Sequence, residues 1–85
     1  MIRVLDAHII QCYVLEVSFA DGTIRHVDVE PALWGPVFEP LRDPELFLEG
    51  RFDSEAETIT WPNGADFAPE FLHDGGVVVA QRASA

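Results

Sequence analysis

Residues 58–72 read Thr-Ile-Thr-Trp-Pro-Asn-Gly-Ala-Asp-Phe-Ala-Pro-Glu-Phe-Leu, and this stretch leaves the backbone little choice. A β-branched run ends at Trp61, and Pro62 cannot donate to a further ladder hydrogen bond. Asn63-Gly64 supplies the positive φ of a tight turn, and Pro69 suits the first position of a short helix. A strand, a turn and a helical turn must therefore follow one another directly. Ile59 and Trp61 share one face of the strand and are expected in the core.

A second constraint lies upstream. Tyr13, Leu15, Val17 and Phe19 alternate with Glu16 and Ser18, the period of a half-buried strand. Asp21-Gly22 follows, and a second run begins at Ile24, so residues 13–19 and 23–29 are predicted to form a β-hairpin. Residues 2–10, rich in Val, Ile and Leu, suit a first strand. Pro31 and Gly35-Pro36 break the pattern after the hairpin. Asp43-Pro44-Glu45 then reads as a helix start: a side-chain acceptor at the N-cap, proline at the first position and an acid facing the dipole. That helix is predicted over 44–49 with Gly50 ending it. Residues 51–53 and 58–61 flank a polar turn and pair as strands.

These elements predict a single α+β domain over residues 1–74, an antiparallel sheet of about five strands with one or two short helices on one face. Residues 75–85 are left as a C-terminal tail that is either a short extra strand, around residues 77–80, or disordered. The predicted core comprises Val4, Val14, Leu15, Val17, Phe19, Ile24, Val27, Phe38, Leu41, Phe47, Ile59, Trp61 and Leu72. Val14 and Leu15 have opposite parity, so one of them should face away from it.

Charge narrows the partners. Fifteen Asp and Glu oppose five basic residues, all Arg, for a net charge of −10. Such a surface repels phosphate backbones and anionic headgroups, so neither direct nucleic-acid binding nor membrane association is expected. It suits contact with a basic protein, where opposite fields speed encounter and select partners. No apolar run approaches the ~20 residues that span a bilayer. The start, Met-Ile-Arg-Val-Leu-Asp, lacks a secretory signal's apolar stretch, and the lone Cys12 cannot form an intrachain disulfide. A cytoplasmic location is the expectation.

The residue types that carry chemistry are sparse. His8 and His26, read as occupants of neighbouring strands, could approach Asp28, but no ligand pair has metal-site spacing. Cys12 has no helix N-terminus behind it to activate a thiolate. Asp53, Glu55 and Glu57 flank a turn where solvated charge is the rule. Asn63 and Asp66 are read as turn residues first, with Asp66 accepting from nearby backbone N–H groups, and as partner contacts second. Arg42 is expected to brace 35–47 by pairing with a buried carboxylate. Trp34 in its loop is a candidate anchor for a partner. No catalytic, cofactor-binding or metal residues are expected, and the candidate partner-binding residues are Trp34, Phe38, Asn63 and Asp66.

Residues 35–47 (Gly-Pro-Val-Phe-Glu-Pro-Leu-Arg-Asp-Pro-Glu-Leu-Phe), residues 58–66 and the Val-Ser-Phe-Ala-Asp-Gly of 17–22 resemble a bacterial family, domain of unknown function 2442. The likeness runs from about Ile2 to His73. It implies a small α+β fold with a mostly antiparallel sheet and no established catalytic activity. Some members of that family carry a helix-turn-helix after this unit; these 85 residues hold none, so a repressor role is not expected. Others are encoded beside a small protein, often of domain of unknown function 4160, in pairs that look like toxin–antitoxin modules.

The leading expectation is a non-enzymatic protein-binding module, the antitoxin-like member of such a pair, meeting a small basic protein encoded next door. One alternative is a ligand-binding or enzymatic domain using the loop 61–66 with His26 or His73 beside Asp66. Another is a homo-oligomeric structural domain, most simply a homodimer joined at an edge strand.

Overall fold

The computed structural model describes residues 2–83. Strands β1 (Val4–Gln11), β2 (Val14–Phe19) and β3 (Thr23–Asp28) form an antiparallel meander, and β6 (Val77–Ala83) pairs antiparallel with β3. The four-stranded order is β1-β2-β3-β6. A separate two-stranded sheet joins β4 (Arg51–Asp53) to β5 (Thr58–Thr60) and lies against β1. Helix α1 (Pro44–Phe47) and helix α2 (Pro69–Asp74) are both short, and two 3-10 turns, Glu30–Ala32 and Glu39–Arg42, precede α1. This is the antiparallel α+β architecture expected, with its strands divided between two sheets. Ser84 and Ala85, the end of the 75–85 tail, lie outside the described residues.

The hairpin forms where Asp21-Gly22 directs it. Asp21 Oδ1 accepts from the Thr23 amide at 2.9 Å, and Gly22 N–H donates to Phe19 O at 3.0 Å. Leu15 opposite Val27 puts Leu15, Val17, Phe19, Val27 and Val29 on the inner face. Val14 is also buried but stands outside the main core cluster. In β1 the register shifts between Val4 and Asp6, so Val4 and Ala7, three apart, both reach the core.

Opposite this face sit Leu33, Leu41, Phe47, Ile59, Trp61, Phe67 and Leu72, all buried. Asp43 caps α1 by accepting from the Glu45 amide at 3.0 Å, as its position before Pro44 implied. The helix is shorter than expected, with Leu48 at its C-cap. Gly50 is required for space: a Cβ there would sit 2.6 Å from the Trp61 indole. That close approach lets Trp61 Nε1 donate to Phe47 O at 2.8 Å.

Ile24 is a correction to the expected core. It is only half-buried, and Arg25 takes the inner position instead, 4% exposed. Ile24 and Val27 have opposite parity on one strand, so both could not face inward. Phe38 is half-buried too, packed against the core from the edge.

Candidate functional site: an apolar groove beside Trp34

The site begins with how the chain leaves β3. Ala32 N–H donates to Val29 O and Leu33 N–H to Glu30 O, a tight turn that drives Leu33 fully into the core. The next side chain is thereby turned outward: Trp34 is 71% exposed. Gly35 has φ +88° with open space around its missing Cβ, so glycine serves the turn's backbone and not a close contact.

Three ties fix this loop. Arg42 Nε donates to Leu33 O at 2.6 Å, and the Tyr13 hydroxyl donates to Arg42 O. Asn63 Nδ2 donates to Val37 O at 2.9 Å while its Oδ1 accepts from the Ala65 amide. The exposure of Trp34 is therefore built in by anchored neighbours, and is not the accident of a slack loop. Arg42 does brace this segment, but through a backbone carbonyl and not a carboxylate.

Below Trp34 lies a groove of about 600 Å³, walled by Trp34 and Val37. Its floor is a stack of three rings. Phe67 lies face to face with Phe38 (centroids 4.9 Å apart, 21° between planes) and with Phe71 (5.2 Å, 15°). Trp61 meets Phe67 edge-on at 5.7 Å, joining the groove to the core. Asp66 is the charged residue in this lining among those described. Its backbone bridges to Thr60, but among the described residues its carboxylate accepts no hydrogen bond. The turn role expected of Asp66 is performed by the Asn63 side chain.

Trp34, Phe38 and Asp66 thus converge on one surface, with Asn63 supporting its wall from behind. Phe67 and Phe71 were not among the candidates. Their four-residue spacing across Pro69, next to Asp66, was the available signal.

The histidines lie elsewhere. His8 and His26 are not on adjacent strands: β2 runs between them, and both approach Glu16, at 3.4 and 2.8 Å. Among the described residues no group of three or more His, Cys, Asp or Glu is arranged to hold a metal. His73 joins the β2–β3 turn to α2, its Nε2 2.9 Å from Asp21 and its Nδ1 2.7 Å from Asp74. These two carboxylates, Asp74 foremost, raise its pKa above the ordinary 6.5. The Thr23 amide, and then His73, lower Asp21 to about 2. Neither His26 nor His73 stands in the groove beside Asp66. Cys12 is exposed in the β1–β2 turn.

Arg25 is the buried charged group that sequence reasoning missed. Its Nη1 donates to Leu72 O at 2.5 Å and its Nη2 to Gly75 O at 3.4 Å, placing a cation at the C-terminus of α2. Its Nε has no hydrogen-bond partner among the described residues. Arg25 fixes α2, and α2 carries Phe71 into the groove floor.

Among the described residues no helix is long and apolar enough to cross a membrane. No curated protein and no solved structure matches the chain. Residues 4–77 match the family described as "Protein of unknown function (DUF2442)", and the chain belongs to that family.

Proposed function

We propose that this member of a family without an assigned activity is a non-enzymatic protein-binding module that meets its partner through the Trp34 groove. The observation that carries the reading is Trp34 itself, 71% exposed beside an apolar groove while its neighbours are tied down. An exposed indole on a fixed backbone gives large contact area at low ordering cost, the usual character of a binding hot spot.

The net charge of −10 supports the finer reading, in which the partner is a small basic protein and this chain covers and neutralises it. The placement of the histidines also favours binding over catalysis, because each is engaged with a carboxylate away from the groove. Affinity purification from the source cells, with the natural chain and with Trp34→Ala as baits, tests the reading. A protein recovered by the first and lost from the second supports it. Identical recovery by both baits, or recovery of the chain alone, contradicts it.

A further inference from the structure

Two smaller hollows adjoin the groove around the Trp34 loop. One shares Gly35 and Pro36 with it and adds Glu39; the other shares Ala32, Trp34 and Phe71 and adds Asp28. Through these shared lining residues both hollows border the groove, and together the three form a channel around the Trp34 loop with the Phe38, Phe67 and Phe71 rings in its central part. Asp66 lines the groove itself, Glu39 one bordering hollow and Asp28 the other. No Arg, Lys or His lines any of the three among the described residues.

We infer that this channel takes a short cationic segment of a partner protein, with one bulky apolar side chain seated on the Phe38–Phe67–Phe71 stack and Arg or Lys on either side of it. The inference rests on the protein-binding reading and adds the chemistry of the occupant. Phe67 is buried between Phe38 and Phe71, and these two half-buried rings with the Trp34 indole present apolar surface that an aromatic or long aliphatic side chain covers. Asp28 and Glu39 each line one of the two bordering hollows and not the apolar groove itself, so cations flanking the anchor find carboxylates without displacing apolar contacts. The Asp66 carboxylate, accepting no hydrogen bond within the described protein, is free to take a guanidinium bidentately. A segment carrying acids would meet three like charges with no cation beside them, a repulsion that selects against it.

Three synthetic peptides of equal length decide the matter, observed by amide NMR shifts on the full chain at low and high salt. The first carries a central Phe between arginines, the second replaces the arginines by glutamates, and the third replaces the Phe by serine. The expected result is that the first shifts Trp34, Val37, Phe38 and Phe71 and binds about tenfold or more tightly than the others. That binding should weaken with salt, weaken several-fold in Glu39→Gln and Asp66→Asn, and vanish in Trp34→Ala. Equal binding of the glutamate peptide in the groove overturns the cationic occupant but leaves the protein-binding reading standing. Equal binding of the serine peptide overturns the apolar anchor. No groove shift with any peptide removes the support for both, and groove shifts that follow protein concentration alone assign the channel to a second copy of this chain instead.

Discussion

The two tryptophans meet opposite fates. Trp61 is 4% exposed, wedged against Gly50, tied through Nε1 to Phe47 O and in contact with Phe47 and Phe67. Trp34 is 71% exposed and joins no ring pair among the described residues. Both stand next to a turn that contains proline and glycine. Their neighbours separate them. Trp61 continues the strand alternation of Ile59 and inherits its inward face, whereas Leu33 takes the core position in its turn and leaves Trp34 outside. A large aromatic held outward by fixed neighbours is a surface feature of the fold; one held inward is a structural support.

The largest test of this contrast is Trp61→Ala. It should cost about 3–5 kcal/mol in denaturant unfolding, the range for emptying a core site of this size. A loss near that expected for an exposed residue would collapse the distinction. Next comes Arg25→Ala, which removes charge-assisted bonds to Leu72 O and Gly75 O and should cost about 1.5–3 kcal/mol. Faster amide exchange at α2 should accompany that loss. Gly50→Ala pushes a methyl into the Trp61 indole and should cost about 1–3 kcal/mol, with a changed fluorescence environment for Trp61.

A smaller effect depends on pH. The raised pKa of His73 means its contribution is fully present below 6.5 and fades as pH rises through the folded value. The lowered pKa of Asp21 means its contribution is present above about 3.8 and fades as pH falls toward about 2. The clamp between the β2–β3 turn and α2 should therefore be tightest between those limits. His73→Gln should flatten the alkaline side of the stability profile measured by thermal unfolding. Smallest of all on stability is Trp34→Ala, expected within about 0.5 kcal/mol of the natural chain. The same change should abolish partner capture, which no merely structural residue of so little energetic weight would do.

Much of this was legible beforehand because local rules agreed with the final packing. Asp21-Gly22 set the first hairpin, Asp43-Pro44 set the start of α1, and the alternation through Ile59 and Trp61 set the inward face of β5. Trp34, Phe38, Asn63 and Asp66 could be singled out from residue type and loop position alone. Their convergence could not, because it depends on Asn63 reaching Val37, twenty-six residues away in sequence. Arg25 was hidden for a related reason. A charge on an inward strand face contradicts the usual pattern, and only the carbonyls at the end of α2, far along the chain, account for it. The division into two sheets likewise rests on tertiary packing of the 51–60 hairpin, which no turn signal encodes.

The most direct test of the account is site-specific photo-crosslinking in the source cells. Benzoylphenylalanine would replace Val37, exposed on the groove wall, and in a second chain Leu5, exposed on β1. The account predicts a crosslinked basic protein from position 37, none of it from position 5, and its loss when Trp34→Ala is added. The same product from both positions, or an unchanged yield without Trp34, would contradict it.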